Sequence, residues 1–549
     1  MDLNIQLNLS EKEHLYLQIY DYIRSEIRSG SLTAGERLPS TRSLASYLNI
    51  SRSTTQLAYD MLAEEGYIEL RRGSGAYVCE IADLLPPGNS RPAAAVSSGA
   101  GQLHAAAVSS GAGQLHAAAL SSATGQLHAA ALSSATGRLP AGGLPDVSAS
   151  QPAKESGLID FSPRSIDMRS FPYATWRRIV RGIMAYGNAD VFTRGDPQGD
   201  LPLRRTIAHH LHLSRGVQCL PQQIIIGAGN DYLLMLLRQI LGDSRKIAME
   251  NPTYLRAYHI FHSMEYEVVT VPMDNAGIDV RALSQTDCTL AYVMPAHQYP
   301  CGIRMSYPRR TELLQWAQSE KGGQERYILE DDYDSEFKYT GRPVKSLQSL
   351  DTNGNVIYIG TFSKSIAPAI RISFMILPVR LLSRYHETCR YLSSTVSRID
   401  QSILDEFIRD GFYERYLNRM RKIYKAKHDL ALSLLAPCRS RFAVLGSGAG
   451  LHVLLRERTM LSGDETQKES AGRRDWPPGQ NSRESRIIDR ERELCGEAAA
   501  AGIKIYPLYE QCIPGLQLPY DAPTWMIGYA ALTEDEIRDG LRRLTGVCR

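Results

Sequence analysis

Near its start the chain carries apolar residues every three or four positions, as on one face of a helix: Leu15, Ile19, Tyr22, Ile23 and Ile27. This spacing predicts an amphipathic helix over residues 16–28. Gly30 ends the pattern, and Ser40 is the expected N-cap of a second helix over residues 41–48.

A third helix is predicted over residues 52–65, and two short strands, 67–70 and 76–78, follow it around a basic turn. The apolar residues expected on the inner side of the third helix are Leu57, Met61 and Leu62. Helix, turn, helix and hairpin together form the outline of a winged helix-turn-helix, which places its third helix in the major groove of DNA. A small helical domain that binds protein is the alternative.

The start of the third helix carries side chains that can contact base edges: Arg52, Ser53, Thr54, Thr55 and Gln56. Arginine can donate two hydrogen bonds to guanine, worth roughly 1–3 kcal/mol of discrimination. Arg42 on the second helix and Arg71 and Arg72 in the hairpin are expected to hold phosphates. Residues 1–80 carry eight basic and eleven acidic side chains, but residues 37–59 carry three arginines and no acid. Positive charge is therefore concentrated where DNA contact is expected.

Between about residues 81 and 155 the composition shifts to Ala, Ser, Gly and Pro, with a motif that repeats every 12 residues. The copies begin at Val96, Val108, Leu120 and Leu132. Each copy has too little apolar bulk to stack into a solenoid, so we predict a flexible, disordered linker. The histidines that recur with the motif are His104, His116 and His128. Metal binding by them is a weak alternative, because they follow from tandem duplication.

From about residue 156 to 549, short apolar runs alternate with helical patterns. The strands are expected at 223–226, 246–249, 290–293, 327–329 and 355–359. This alternation predicts an α/β domain with a largely parallel sheet, whose sites lie beyond the strand ends. The polar run over 458–490 interrupts it and is predicted to be a disordered surface insertion.

The loop after strand 355–359 carries a lone lysine, Lys364, among small hydroxylated residues. Its amine can condense with an aldehyde, while Thr361, Ser363 and the cation of Arg371 suit a phosphate. Taken alone, a solvated loop lysine is the simpler interpretation. Upstream, Gly229 and Asn230 join free N–H groups to a helix N-terminus, which is a second phosphate-binding feature.

Three residues at other strand ends complete the picture of a site for a flat, charged ring. Asp331 can hold a pyridine nitrogen protonated, Tyr333 can bond a phenolic oxygen, and Tyr254 can stack on the ring. The acidic cluster 330–334 could instead bind Mg²⁺. Lysine, aspartate, tyrosines and two phosphate loops together indicate pyridoxal 5'-phosphate.

Two resemblances cover most of the chain. Residues 38–45 (LPSTRSLA), 51–54 (SRST) and 65–68 (EGYI) resemble the GntR family of bacterial regulators, which implies a winged helix-turn-helix with DNA contacts at Arg42, Arg52 and the wing. The large domain resembles fold-type I aminotransferases. In particular, residues 195–199 (GDPQG), 297–300 (HQYP), 330–337 (EDDYDSEF) and 360–364 (GTFSK) resemble the MocR regulators of the GabR and PdxR kind.

The resemblance implies a multidomain regulator: a winged helix-turn-helix over 10–80, a flexible linker over 81–155 and an aminotransferase-like domain over 156–549. It implies Lys364 as the lysine that forms a Schiff base with pyridoxal phosphate, and Arg256 as an arginine that binds an effector carboxylate. The other residues that it assigns to the cofactor are Asp331, Tyr333, Tyr254, Gly229, Asn230, Thr361, Ser363 and Arg371. It also implies a homodimer that reads two DNA half-sites.

One departure concerns the late arginine that binds the substrate carboxylate in aminotransferases, because the aligned strand offers Met526 there. Transamination and ordinary amino-acid binding are therefore less expected than sensing of pyridoxal phosphate itself or an adduct with an amine. The alternatives are a catalytically active aminotransferase and a DNA-binding protein that has lost the cofactor.

Composition adds limits. The net charge is +3, and 43% of the residues are hydrophobic and 22% charged. These whole-chain values indicate neither a nucleic-acid-binding protein nor a membrane protein. Nine cysteines without paired spacing indicate reduced thiols and no zinc site, in a cytoplasmic compartment. No apolar run reaches the length that spans a bilayer.

Overall fold

The computed structural model describes Ile5 and residues 15–29, 31–64, 67–71, 75–79, 157–185, 188–242, 245–320, 323–339, 345–458 and 483–548. The predicted repeat linker, 81–155, lies entirely outside the described residues. Within the described ranges, no helix has the length and apolar character needed to cross a bilayer.

The N-terminal module has three helices and a hairpin, as its hydrophobic pattern predicts. The elements are α1 (Leu15–Arg28), α2 (Thr41–Tyr47), α3 (Arg52–Glu64), β1 (Ile68–Arg71) and β2 (Gly75–Val78). Ser40 caps α2 by accepting a hydrogen bond from the backbone N–H of Ser43. The inner face of α1 packs on α3 through side chains such as Ile19 and Ile23, which are fully buried.

One inward-facing expectation for α3 is wrong. Met61 and Leu62 are buried, but Leu57 is 36% exposed. The residues that continue the buried face of Met61 and Leu62 toward the start of α3 are Ala58 and Thr55. The inner face of α3 is therefore rotated by about one residue from the face that the large apolar side chains suggested.

The module touches the large domain through aromatic rings. Tyr67, which precedes β1, stacks on Tyr307 with ring centroids 4.6 Å apart and an interplanar angle of 29°. Tyr307 is buried and belongs to the apolar cluster of the module, and Leu350 packs against the same cluster. A change in the large domain around Tyr307 would therefore be felt by the module core.

The large domain is built on a seven-stranded sheet with strand order β4-β12-β11-β10-β9-β5-β6. The strands of the domain are β3 (Ile159–Asp160), β4 (Ile224–Gly227), β5 (Lys246–Glu250), β6 (Glu267–Val271), β7 (Met273–Asp274), β8 (Gly277–Ile278), β9 (Leu290–Val293), β10 (Tyr327–Asp332), β11 (Val356–Thr361), β12 (Ser373–Ile376), β13 (Phe442–Leu445), β14 (His452–Glu457), β15 (Ile503–Lys504), β16 (Tyr506–Pro507) and β17 (Thr524–Gly528). Only β12 runs antiparallel to its neighbours β11 and β4. The largely parallel sheet that the sequence predicts is thus confirmed.

Helices cover both faces of this sheet. They are α4 (Tyr173–Ile183), α5 (Leu201–Arg215), α6 (Asn230–Leu241), α7 (Leu255–Ser263), α8 (Val280–Gln285), α9 (Tyr307–Gln318), α10 (Val379–Cys389), α11 (Arg398–Arg409), α12 (Phe412–Leu435), α13 (Arg483–Ala500) and α14 (Glu534–Val547). Central strands such as β9 and β10 are buried along their whole length, which is the pattern of a sheet covered on both sides. The parallel strands β9, β10 and β11 bring the segments that follow them to one edge.

A second sheet, with strand order β13-β14-β17-β16, packs with α12, α13 and α14 near the C-terminus. The insertion predicted over 458–490 is partly wrong, because residues 483–490 form the first turns of α13 and Ile487 is buried there. Residues 459–482 lie outside the described ranges. Met526 of β17 is fully buried in an apolar cluster.

Candidate functional site

A cavity of about 270 Å³ opens at the edge of the large sheet where the candidate residues were expected to meet. Its lining includes all ten residues that the sequence assigned to cofactor or effector: Gly229, Asn230, Tyr254, Arg256, Asp331, Tyr333, Thr361, Ser363, Lys364 and Arg371. Five further residues line it: Arg164, Asp231, Met294, Tyr299 and Pro368. The volume is close to the lower limit of about 300 Å³ for small-molecule pockets.

Lys364 is half-buried in the loop that follows β11, with its amine held by the backbone of a distant segment. Its Nζ donates hydrogen bonds to the carbonyl oxygens of Pro163, at 3.1 Å, and Arg164, at 3.0 Å. Burial, aided by the charge of Arg164 and opposed by that of Asp334, lowers the pKa of Lys364 to about 8. A substantial neutral fraction near physiological pH makes this amine a better nucleophile than a surface lysine.

Asp331 is a buried carboxylate of the cavity, and the side chains that donate hydrogen bonds to it are neutral. It is 4% exposed, accepts a hydrogen bond of 2.6 Å from the hydroxyl of Tyr292 and a longer one of 3.4 Å from Nδ2 of Asn230. Burial raises the pKa of Asp331 to about 7, and the charge of Asp332 adds to the rise. Among the described residues no Lys or Arg pairs with Asp331. A cation that enters the cavity could therefore form an ion pair with this carboxylate.

Tyr333 also lies at the end of β10 and is linked to a buried histidine. Its hydroxyl lies 2.9 Å from Nδ1 of His297, which is 3.1 Å from both carboxylate oxygens of Asp334. Burial raises the pKa of Tyr333 well above its ordinary value, so the hydroxyl keeps its proton. Tyr254 and Tyr299 meet edge to face at 6.1 Å on the same wall.

The other end of the cavity is rich in donors. Gly229 caps the N-terminus of α6 with φ of +91°, and a Cβ there would approach Nη2 of Arg371 to 2.5 Å. Only glycine therefore lets the guanidinium of Arg371 reach the helix N-terminus. Oγ1 of Thr361 accepts hydrogen bonds from the N–H of Ser363 and the hydroxyl of Ser373, which leaves its own proton to donate.

The cationic residues of this end share one acid that the sequence did not single out. Asp231 in the first turn of α6 lies 3.2 Å from Arg371 and 3.3 Å from Arg256. Both arginine side chains remain about half exposed. Arg256 therefore faces the cavity already paired with a carboxylate.

These residues fit pyridoxal 5'-phosphate on several observations. A buried donor at the donor-rich end, the hydroxyl of Ser363, has no hydrogen-bond partner within the described structure. The helix N-terminus and Arg371 suit a phosphate, and Asp331 suits a protonated ring nitrogen. An amine with a lowered pKa suits the aldehyde.

Several residues of the cavity escaped the sequence. Tyr292 and Tyr299 lie within the strand and loop that were recognised, so their hydrogen-bonding and ring positions could have been proposed from strand-end placement. Arg164 could not, because the loop after β3 carries no motif and its contacts, such as the pairing of β3 with β15 and the hydrogen bonds from Lys364, join residues distant in sequence.

The acidic cluster 330–334 divides between the two faces of β10. Both carboxylate oxygens of Glu330 accept backbone N–H groups, from Leu347 and Gln348, and Asp332 binds Arg215 and the hydroxyl of Tyr358. Of the acidic residues in this cluster, Asp331 lines the cavity. Across the described ranges no group of three or more His, Cys, Asp or Glu side chains is arranged around a common metal position.

In the N-terminal module, Arg42 and Arg52 are exposed at the starts of α2 and α3. The hydroxyls of Ser53 and Thr54 bond to the hydroxyl of Ser51, and Gln56 donates to Asp60. The hydrogen bonds of Thr54 and Gln56 can be exchanged for contacts with DNA, because these side chains lie at or near the surface.

Thr55 is a correction to the set of base-reading residues. It is fully buried, and its hydroxyl donates to the carbonyl oxygen of Thr41 at 2.8 Å or of Arg52 at 3.0 Å. It joins α2 to α3 and cannot reach a base edge. Arg71 is exposed, pairs with Glu69 at 2.9 Å and lies over the ring of Tyr77, while Arg72 lies outside the described residues.

Comparison with protein families finds two matches on this chain. Residues 15–78 match the bacterial regulatory proteins of the gntR family, and residues 176–469 match aminotransferase class I and II. The first match spans the three helices and the hairpin, and the second spans the large sheet with Lys364.

Relatives that this chain matches over most of its length are named as regulators. The chain is 33% identical over 546 residues to the HTH-type transcriptional regulator YhdI of Bacillus subtilis, covering 99% of this chain and 98% of the relative. It is 31% identical over 432 residues to the probable rhizopine catabolism regulatory protein MocR of Rhizobium meliloti, covering 78% of each. It is 30% identical over 435 residues to the pyridoxine biosynthesis regulator PdxR of Corynebacterium glutamicum, covering 79% of this chain and 82% of the relative.

Solved structures with the same fold are aminotransferases. The multiple substrate aminotransferase of Thermococcus profundus superposes with a TM-score of 0.59 at 22% identity, covering 72% of this chain and 92% of that chain. The kynurenine aminotransferase of Pyrococcus horikoshii superposes with a TM-score of 0.57 at 22% identity, covering 72% and 91%. At this identity the likeness establishes the fold.

Proposed function

This chain belongs to the MocR/PdxR type of GntR-family transcriptional regulators, which join a helix-turn-helix region to an aminotransferase-like domain that uses pyridoxal phosphate, and from that premise we propose that occupancy of the Lys364 cavity sets its affinity for DNA. The signal is pyridoxal phosphate itself or its adduct with an amine. The observation that carries the proposal is the convergence of Lys364, Asp331 and the α6 N-terminus on one cavity.

When bound, pyridoxal phosphate supplies an aldehyde that bonds to an amine and a ring that withdraws electrons. Lys364 would provide the amine for attachment, and Asp331 would hold the proton of the ring nitrogen. Tyr333 would donate to the ring oxygen, because His297 and Asp334 hold its hydroxyl in place. Tyr254, on the wall of the cavity, would help to keep water from the attachment point.

The phosphate would be held at the opposite end. The N–H group of Asn230, the hydroxyls of Thr361 and Ser363 and the guanidinium of Arg371 would act together there. Gly229, whose own N–H donates to the carbonyl oxygen of Gly227, makes room for Arg371. Arg371 would exchange Asp231 for the phosphate, which leaves Asp231 to Arg256.

DNA is bound by the N-terminal module. Arg52, Ser53, Thr54 and Gln56 at the start of α3 read bases, while Arg42 and Arg71 hold phosphates. A homodimer would present two such modules to two half-sites. Since the chromosome is the target, the proposal places the protein in the cytoplasm.

The contact between Tyr67 and Tyr307 supports a route between the two sites. Tyr307 begins α9 directly after its N-cap Ser306, and Arg310 on the same helix donates to the carbonyl oxygens of Met305 and Pro295, in the loop after β9. That loop contains His297, which contacts Tyr333, and Tyr299, which lines the cavity. A shift of the loop on ligand binding would therefore move the surface on which the module rests.

The experiment isolates bound genomic fragments with the purified full chain, with and without pyridoxal phosphate, and then measures affinity for the recovered sequence. We expect the dissociation constant to change at least about fivefold on cofactor addition, the lower end of typical coupling. Lys364→Ala should abolish both the absorbance of the attached cofactor and the change in affinity. Lys422→Ala, on the exposed face of α12, is the matched control. DNA affinity that ignores the cofactor while it binds at Lys364 would refute the proposal.

The cofactor residues also suit a catalytically active aminotransferase, which is the second candidate. Against it stands Met526, which is buried in an apolar cluster at the position where the substrate-binding arginine was expected. Sustained transfer of an amino group from an amino acid to a keto acid by the purified chain would favour the enzyme.

A further inference from the structure

Arg164 is a cation of the cavity to which the proposed function gives no role. Arg164 lies in the loop after β3 and lines the cavity beside Lys364, whose amine donates to the carbonyl oxygen of Arg164 at 3.0 Å. The backbone of Arg164 is thus tied to the reactive amine, and its side chain is placed over the same space.

Arg164 has no acid to neutralise it within the described structure. No Asp or Glu lies within ion-pair distance of its guanidinium there, whereas Arg256 and Arg371 share Asp231. The charge of Arg164 acts on three groups of the cavity. It adds to the effect of burial in lowering the pKa of Lys364, and it opposes the effect of burial, which raises the pKa values of Tyr254 and Tyr299. An arginine that faces a lysine in a cavity is stabilised once an anion enters between them.

A second observation points to a ligand at the same place. Tyr299 is 7% exposed and lines the cavity, and its hydroxyl lies beside Arg164, whose charge and hydrogen bond lower the pKa of Tyr299 against the effect of burial. Because a guanidinium can only donate, the proton of this buried hydroxyl has no acceptor within the described structure. A carboxylate can accept from Arg164 and from the Tyr299 hydroxyl together.

The phosphate of the cofactor does not account for this anion position. The phosphate donors come from the α6 N-terminus and the loops around Thr361 and Arg371, whereas Arg164 comes from the loop after β3 and acts on Tyr254 and Tyr299. Met526, where a carboxylate-binding arginine was expected, is buried in the apolar core and cannot serve.

We propose that Arg164 binds the carboxylate of an amino-acid effector whose amino group is directed to the attachment point at Lys364. This rests on the proposed function and names the chemical class of its signal: an amino acid rather than a simple amine. Arg164 takes the part that the residue at 526 does not, and Tyr299 adds a hydrogen bond to the same carboxylate.

The test uses the full chain loaded with pyridoxal phosphate and titrates it with the proteinogenic amino acids and β-alanine. Each amino acid is compared with the amine that lacks its carboxylate, such as L-alanine with ethylamine and L-phenylalanine with 2-phenylethylamine. Binding is read from the absorbance of the bound cofactor and, independently, from the thermal unfolding temperature. We expect at least one amino acid to bind roughly ten- to a hundredfold more tightly than its matched amine, as expected for a charge-assisted hydrogen-bonded pair.

Arg164→Ala should remove that preference and leave the affinity for pyridoxal phosphate within about twofold, and Arg164→Lys should restore part of it. Arg164→Ala that leaves the preference intact, or a panel in which no amino acid is preferred over its amine, would overturn the inference. A parallel loss of cofactor affinity would also overturn it, because Arg164 would then belong to the phosphate. DNA binding is measured in the same samples. If DNA affinity depends on the cofactor but Arg164→Ala keeps the preference for the amino acid over its amine, this inference alone is rejected. If DNA affinity does not depend on the cofactor, the proposed function is rejected.

Discussion

Replacing Asp331 by asparagine is the sharpest single change for the cofactor assignment, because the two side chains have the same shape and differ in charge. In the cavity, the amide can still accept from Tyr292 but cannot pair with a protonated ring nitrogen. A hydrogen bond to a charged group is worth about 1.5–3 kcal/mol, so we expect the affinity for pyridoxal phosphate to fall by roughly ten- to a hundredfold. Titration followed by absorbance measures this directly.

The same substitution should stabilise the chain without cofactor. Burial raises the pKa of Asp331 from 3.8 to about 7, so the folded chain holds this proton more tightly than the unfolded chain does. Stability therefore falls as the pH rises from about 4 to about 7, and the loss is complete above the folded pKa. The span corresponds to at most about 4 kcal/mol. At pH 8 the cofactor-free Asp331→Asn variant should unfold at higher denaturant concentration than the parent, and at pH 4 the difference should vanish.

Glu330→Gln is the matched control on the opposite face of β10. The pKa of Glu330 is also raised to about 7 by burial, but its carboxylate accepts the backbone N–H groups of Leu347 and Gln348. An amide nitrogen facing one of those donors should destabilise the fold and leave the cofactor affinity unchanged. If Asp331→Asn weakened neither cofactor binding nor the pH dependence of stability, the role of this carboxylate would be wrong.

Three further changes test other parts of the molecule. Gly229→Ala, at φ of +91°, should cost roughly 1–2 kcal/mol of stability and displace Arg371, so that the affinity for pyridoxal phosphate falls about tenfold. Gly515→Ala, at φ of +80° with open space around it, is the control and should show the backbone strain alone in the same titration. Because the pKa of Lys364 is lowered to about 8, the rate of cofactor attachment in stopped-flow absorbance should rise with pH and level off above about 8 rather than near the ordinary value of 10.5. Arg52→Ala should weaken binding to the selected DNA by about 1–3 kcal/mol and binding to random DNA less, whereas Arg71→Ala should weaken both and reduce the salt slope by about 1 in fluorescence anisotropy.

Much of the fold was accessible from the sequence because its signals are local. Apolar spacing predicted the helices of the module within a few residues, and β9 has the bounds that its apolar run indicated. Strand ends followed by Lys364, Asp331 and Gly229 pointed to one sheet edge because parallel strands end together. The side chains that follow those strands do line one cavity.

What the sequence could not give depends on which face a side chain takes after packing. Thr55 has the residue type and the position of a base-reading side chain, but the close approach of α2 to α3 turns it inward. Leu57 has the type of a core residue and lies outside because that face is already filled by Ala58 and Met61. Arg164 reaches the cavity through a strand pairing between residues more than three hundred positions apart, which no local pattern encodes.

The three consecutive acids of β10 show why the cavity needs a ligand with both signs of charge. Strand alternation sends Glu330 and Asp332 to one side, where backbone N–H groups and Arg215 neutralise them. Asp331 is sent to the other side, where the described structure offers it only the neutral donors of Tyr292 and Asn230. A carboxylate buried among neutral groups lowers stability until a cation arrives. Arg164 lines the same cavity as a solvent-exposed cation without an acid among the described residues. A protonated ring next to Asp331 and a carboxylate next to Arg164 would satisfy both at once, so the affinity for each should rise when the other is present.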